Sequence, residues 1–461
     1  MSEDAHGSGV VPPGRWKALL ALISLSICAL LWLSGLQQSL ERPSVQDSLA
    51  LRQQELAVQV EVLLPRDLRV ALGAEGARES LARELRRGLA AESGPPRPER
   101  ALELALLERE PVRDEQLRRL SAQVPPEQRA LLEILLKPAA AAVDPPRLNL
   151  LLAPWSLSPL TRRLVCQQIA ARPGLCSDSA ADRAALGRWL AVSVGPLVLV
   201  LMGSALLLRQ IWRRWRGTAP ATPDLQGPAL GLADVTLLIA GGFVVLGELF
   251  VPQILIPLVQ HLLRPLLSRA ALAEALQVLL LYTGLMLAPL LLLRFLLRPL
   301  PPDQRLLQWQ WRPLGPAFGV AVQQVLMVLP IVAVSGWVLE RFWTDQSGSN
   351  PLLEVVLNTG DPLALATLAT TAVLLAPLFE EMLFRGVLLP VLGKRWGMGW
   401  GVVVSALTFG LAHLSLGELM PLFLLGTALG WLRVSSGRLA PCVLMHSLWN
   451  ALTFANLLLL A

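Results

Sequence analysis

Charge is scarce in this chain. Only 16% of its 461 residues are Asp, Glu, Lys or Arg, against 54% hydrophobic, and that balance excludes an ordinary soluble globular protein. Histidine is scarcer still, with four in all, and none stands in the H-E-x-x-H spacing of a zinc-protease helix. Of the four cysteines, Cys28 and Cys442 fall in apolar stretches. Cys166 and Cys176 are left as the one pair for which a disulfide is allowed, with two unpaired buried thiols as the equal alternative. Aromatic residues are nearly missing from 37–188, where Trp155 stands alone.

What is present is a series of long apolar windows. They fall at about 18–36, 189–208, 235–258, 274–295, 317–337, 363–389, 400–416, 419–432 and 440–459, each about the length that crosses a bilayer. The expected fold class is therefore all-α, a polytopic membrane protein of about nine transmembrane helices. The net charge of +6 collects in short loops, around Arg209–Arg216, Arg298–Arg312, Lys394-Arg395 and Arg433–Arg438. That is a topology signal rather than a nucleic-acid surface, because Lys and Arg stay on the cytoplasmic side of short connections. Arg15 and Lys17 put the N-terminus inside, and nine spans then bring every one of these clusters inside; Arg264 and Arg269 alone disagree. The first span reads as an anchor rather than a cleaved signal, its apolar stretch being long and no small-residue cleavage site following it.

The sequence divides into 1–36, a tail and first anchor; 37–188, an inserted helical extracytoplasmic domain; 189–234, a second span and basic loop; and 235–461, the domain that carries the motifs. In 37–188, apolar residues recur at helical spacing over 45–64, 78–91, 99–109, 112–122 and 127–137, broken by proline pairs and by Pro111. Stacked hairpins fit this pattern, although no fixed repeat period emerges. The 297–316 connection, with Trp309 and Trp311, reads as an interfacial loop, and 338–362 as a polar loop.

Three polar motifs break the apolar pattern of the last third: Glu380-Glu381-Met382-Leu383-Phe384-Arg385, Phe409-Gly410-Leu411-Ala412-His413 and His446-Ser447-Leu448-Trp449-Asn450. A charge near the bilayer centre costs about 2.5–3.5 kcal/mol even on lenient scales, so these residues need a reason. On a helix, Glu381 and Arg385 share a face, acid before base, as an i,i+4 pair. Glu380 projects about 100° away, which leaves its carboxylate free to act as a base. His446 and Asn450 are also four apart and offer two donors on one edge, suited to a developing oxyanion. His413 follows Phe409 by four and is suited to orient a water opposite Glu380. Counted at 1.5 Å per residue, Glu380, His413 and His446 lie roughly 20, 20 and 12 Å from the nearest span ends or basic markers, depths that meet in one plane. Gly426-Thr427-Ala428-Leu429-Gly430 adds a small-xxx-small face for close helix approach. The plainer alternatives are a packing ion pair for Glu381 and Arg385, and hydrogen-bonded core positions for the two histidines. Glu248, an intramembrane carboxylate without a motif, reads as structural.

The order EExxxR, FxxxH, HxxxN resembles the CAAX-protease and bacteriocin-processing family of intramembrane glutamic endopeptidases. By motif the resemblance covers about 363–461. It implies a membrane protease in which Glu380 and His413 activate water while His446 and Asn450 support the tetrahedral intermediate, with Glu381, Arg385 and Phe409 in support. No metal is expected. Zinc held by Glu380, His413 and His446 is the alternative, since two His and one Glu form a legitimate open site; Asn450 suits an oxyanion donor better than a ligand. A non-enzymatic membrane scaffold or immunity-type protein on the same fold is the second alternative. The expected partners are a membrane-associated protein or peptide substrate and the lipid bilayer, with no nucleic acid. The expected location is a bacterial cytoplasmic membrane, or a thylakoid membrane.

Overall fold

Apolar periodicity and proline punctuation become helices throughout. The computed structural model describes residues 14–42, 45–61, 63–71, 74–91, 97–137, 143–169, 179–218, 221–263, 269–342 and 351–461. The chain is all-α and divides into two compact units, residues 46–197 and the first 45 residues together with 198–459.

The 46–197 unit is built from short helices, including Val45–Glu61, Ala77–Ala91, Pro98–Leu107, Val112–Gln123, Pro126–Leu135 and Pro159–Ile169. The prolines that break the apolar pattern open several of these helices, as at Pro98 and Pro126, where the missing N–H is one the helix would leave unpaired anyway. Successive helices pack against one another. Their apolar faces close one core of Leu81, Leu102, Leu106, Leu117, Leu131 and Trp155. Cys166 is disulfide-bonded; Cys176 lies outside the described residues.

The other unit contains the apolar helices, apart from the first half of Ala180–Trp215, which belongs to the 46–197 unit. Among the described residues eight are long and apolar enough to cross a membrane: Arg15–Ser39, Ala180–Trp215, Leu232–Leu263, Ala270–Leu297, Leu314–Phe342, Pro362–Trp396, Leu419–Ser436 and Ala440–Leu460. The ninth window, expected at about 400–416, is a helix only over Met398–Leu411. At 1.5 Å per residue it is about 21 Å long, short of a hydrocarbon core about 30 Å thick. It ends where Leu414 takes a left-handed turn with φ 49°. The connection expected as a loop over 338–362 also differs. The Leu314–Phe342 helix runs into it, Pro351–Asn358 forms a helix of its own, and Asp361 caps the next helix through Leu363 N.

Close approach of Met398–Leu411 and Leu419–Ser436 depends on the glycine stripe. A Cβ on Gly426 would meet Ala406 Cα at 3.0 Å, and one on Gly430 would meet the Val402 side chain at 3.0 Å. The first helix is held into this unit by a Lys17–Asp234 ion pair, by Leu414 packed over Gly35, and by Leu416 N donating to Ser39 Oγ. Those last two contacts fix the segment that directly follows His413.

Candidate active site

The first motif lies between two widened turns. Residues Thr370–Leu375 and Met382–Leu388 are π-helical, and Ala376–Glu381 between them is α-helical. Such widened turns concentrate at functional sites. Here a proline stands two residues past each: Pro377 after the first, Pro390 after the second. In the first turn Ala376 N–H reaches back five residues to Thr371 O. The next bond in that series would run from residue 377 to Ala372 O, and proline has no N–H to make it. Asn450 Nδ2 donates to Ala372 O instead, at 2.8 Å. The second turn repeats the pattern. Leu389 N–H goes to Phe384 O, Pro390 cannot serve Arg385 O, and Arg433 Nε donates there at 3.2 Å. Carbonyls freed in a membrane helix need such side-chain partners.

Arg433 was expected in a basic loop. It lies in the Leu419–Ser436 helix and is fully buried. Its Nη2 donates to Gln226 O at 3.1 Å and to Gln308 Oε1 at 2.9 Å. This ties the 221–231 and 305–313 connections to the helix end, where Gln308 O and Trp309 O also accept from Leu439 N and Ala440 N. Trp309 and Trp311 stack on each other, ring centroids 6.2 Å apart.

Glu381 and Arg385 form a fully buried pair at 2.8 Å. Arg385 Nη2 continues to Gly426 O at 3.0 Å, and the guanidinium lies 4.4 Å from the Phe409 ring centroid. The same Glu381 oxygen accepts from His446 Nδ1 at 2.9 Å. A carboxylate paired with arginine only accepts, so the ring proton in this contact sits on Nδ1 and Nε2 is turned outward. Nε2 stands 3.9 Å from Glu380 Oε2. Glu380 Oε1 accepts a hydrogen bond from Tyr282 Oη at 2.9 Å, while the buried Oε2 has no hydrogen-bond partner among the described residues.

His413 meets this group at the Phe409 ring. Both imidazoles pack edge-on to that ring, His413 at 4.8 Å and His446 at 5.6 Å between centroids. His413 Nδ1 donates to Phe409 O at 2.8 Å, which leaves Nε2 as its free nitrogen. Thus Glu380, Glu381, Arg385, His446 and Phe409 gather directly, His413 joins through Phe409, and Asn450 is anchored to the helix that carries Glu380. Among the described residues no hydrogen bond or ion pair joins His413 to Glu380; His446 is the imidazole beside it. Nor do any three His, Cys, Asp or Glu side chains among the described residues stand together as metal ligands. Sequence reasoning missed Tyr282 and the buried Arg433. The signal for Tyr282 was its rarity, since it is the single tyrosine in the chain.

Comparison with known proteins adds to this geometry. Residues 362–452 match the family described as type II CAAX prenyl endopeptidase Rce1-like. The match includes all three motifs and agrees with the resemblance that they carry. It leaves Tyr282 outside. Residues 46–187 match a domain of unknown function, DUF8675. An uncharacterized 24.3 kDa protein of Escherichia coli is 41% identical over 81 residues, 16% of this chain and 37% of that protein. The chain therefore spans little more than a third of that relative's length. No solved structure matches the chain.

Proposed function

We propose that this multi-pass membrane protein is an intramembrane endopeptidase, hydrolysing a peptide bond in or near the bilayer with water activated by Glu380. One observation supports this most. Glu380 Oε2 and His446 Nε2 stand 3.9 Å apart, and Oε2 has no hydrogen-bond partner among the described residues, so one attacking oxygen can touch both. Glu381 is committed to Arg385 and His446. Glu380, which has no cation, is the carboxylate available as general base. Asn450 retains a second amide N–H beyond the one given to Ala372 O, and it supports the developing oxyanion together with His446 on the same helix face, whose Nε2 donates only once it has taken up a proton. The Rce1-like match over 362–452 supports the same class of activity.

The position of His446 favours a second allocation of the two histidines. With Nδ1 on Glu381, its Nε2 is suited to receive the water proton, which leaves the carbonyl oxygen to Asn450 and to His413 in the form that carries a proton on Nε2 as well. His413→Gln and His446→Gln separate the two, because loss of the shuttle suppresses leaving-group protonation while loss of an oxyanion donor costs about 10²–10³ in rate.

The substrate is a membrane-associated protein or peptide. The basic loops support an N-terminus inside and the 46–197 unit outside the cytoplasm, in a bacterial cytoplasmic or thylakoid membrane. Comparative proteomics of wild-type and Glu380→Gln membranes tests the activity: a full-length protein accumulates in the variant. If none does and purified protein cleaves nothing, the scaffold reading takes its place. Cleavage should persist in purified protein after exhaustive chelation with metal content determined. Stoichiometric zinc whose removal abolishes cleavage would move the reading to a His/His/Glu metalloprotease.

A further inference from the structure

The chain builds its aromatic surfaces from ten phenylalanines and fourteen tryptophans, and uses tyrosine once. That one hydroxyl lies within the apolar Ala270–Leu297 helix, outside the three motifs and outside the segment matched by the Rce1-like family. A hydroxyl in such a helix must find a polar partner. The neighbouring Thr283 turns its short hydroxyl back to Leu279 O of its own helix, a route closed to a hydroxyl carried at the far end of a ring. Tyr282 instead crosses to another helix and donates to Glu380 Oε1 at 2.9 Å. Its ring is held edge-on against Phe379, the residue before Glu380, with centroids 6.4 Å apart and planes at 86°. Phe379 is itself buried against Phe243.

The consequence falls on the other oxygen of Glu380. A lone carboxylate rotates freely about its last bond. With Oε1 held from the Tyr282 side, Oε2 is turned to the His446 side, where Nε2 stands 3.9 Å away and no protein donor occupies it. We propose that Tyr282 is a positioning residue for Glu380, engaging one carboxylate oxygen so that the other is presented to the attacking water beside His446. This rests on the reading of Glu380 as the base. It extends the site to a helix that carries no motif, and accounts for a tyrosine where a phenylalanine would fill the same space.

Because Tyr282 is the single tyrosine, growth on 3-fluorotyrosine places one fluorine reporter in the full-length protein. Its resonance should shift in Glu380→Leu, which removes the acceptor, and stay in place in Glu248→Gln. A resonance that ignores Glu380→Leu overturns the proposal whatever the protein's activity. The kinetic arm uses membranes from cells expressing Glu380→Gln as substrate and counts new N-termini formed by added purified protein. Tyr282→Phe should keep the melting temperature and lower the turnover rate about tenfold to a hundredfold, the value of one hydrogen bond to a charged group, with little change in the substrate level at half saturation. In Glu380→Asp, whose shorter side chain has already left the hydroxyl, Tyr282→Phe should cause no further slowing. Equal activity of Tyr282→Phe and wild type, or equal slowing in both backgrounds, defeats the positioning role. Full activity of Glu380→Gln would defeat the hydrolytic reading instead, and the fluorine result would still stand on its own.

Discussion

On the proposed reading Asn450 has two separable jobs, and one pair of substitutions tells them apart. Its amide serves Ala372 O, the carbonyl that Pro377 leaves open, and it stands one turn beyond His446 on the same helix. Asn450→Ala removes the donor and strands a carbonyl within a membrane-spanning helix, where water cannot replace it. The expected destabilisation is about 1–3 kcal/mol, the cost of an unsatisfied buried polar group. If the second amide N–H also serves the oxyanion, turnover falls about 10²–10³-fold as well. Adding Pro377→Ala returns a backbone N–H two residues past the widened turn, in register with Ala372 O. Asn450→Ala/Pro377→Ala should therefore recover most of the lost thermal stability in detergent and none of the lost turnover. The assay is a melting curve of the purified full-length protein beside the Glu380-dependent release of new N-termini. A single Asn450→Ala that melts like wild type would refute the carbonyl argument. A double variant that regains turnover would refute the oxyanion role and leave Asn450 as scaffolding alone.

Three further outcomes are expected. In the 46–197 unit, burial first and the neighbouring Glu55 second push the Glu103 carboxyl up to about 8. Its contribution to stability is thus complete below about pH 4.5 and is lost as pH rises through 8, on the order of 5 kcal/mol. Hydrogen exchange of the Val45–Glu61 and Pro98–Leu107 helices in the full-length protein should speed up between pH 6 and 9, and Glu103→Gln should flatten that dependence. Gly426→Val drives a side chain into Ala406 Cα and Arg385 Nη2, 3.0 and 3.2 Å from an added Cβ; overpacking of this kind costs about 1–3 kcal/mol, and cleavage should fall with it, whereas Gly399→Val, with open space around it, should melt like wild type. Reporter fusions at residue 100 and in the 390s should report opposite sides of the membrane, and the same side from both would sink the topology.

The pairing within the first motif was legible because helical arithmetic is robust to local detail. Glu381 and Arg385 are four residues apart, and they pair although the turn between them widens from α to π. The helices of 46–197 were legible for a similar reason: prolines punctuate both the apolar pattern and the folded helices. Three features escaped. Arg433 sits near a helix end, where a charge count assigns it to the loop, and nothing in its neighbours announces that Arg385 O and Gln308 await it. The 351–358 helix was hidden by the turn residues around it, although Pro351 and Asp361 serve there as helix starters. The short Met398–Leu411 helix differs from a full span only in where it stops, and that is decided by the tight turn at Leu414 and its seat over Gly35, more than 370 residues away in sequence.

The two widened turns explain why the site is harder to infer than its motifs. A period of 3.6 predicts which residues share a face, but it does not say where a helix gains a residue per turn. The trace left in the sequence is indirect: a proline two positions past each turn, and a polar side chain elsewhere that must satisfy the carbonyl the proline abandons. Asn450 and Arg433 play that part for Pro377 and Pro390. Asn450 lies in a motif and Arg433 does not, yet both bind the helix that carries Glu380, one on the N-terminal side of that residue and one on the C-terminal side. The position of Glu380 along its helix is therefore set by groups on the last two helices as much as by its own sequence. A substitution at Arg433, far from the reacting atoms, should accordingly act on the site through the Arg385 carbonyl. Arg433→Gln should lower the melting temperature more than Asn450→Ala, because it also releases Gln226 O and Gln308 Oε1. Pro390→Ala should restore only the share owed to Arg385 O. Complete rescue by Pro390→Ala would mean that the contacts to the two connecting loops add nothing, and the account of Arg433 as the knot between them would fall.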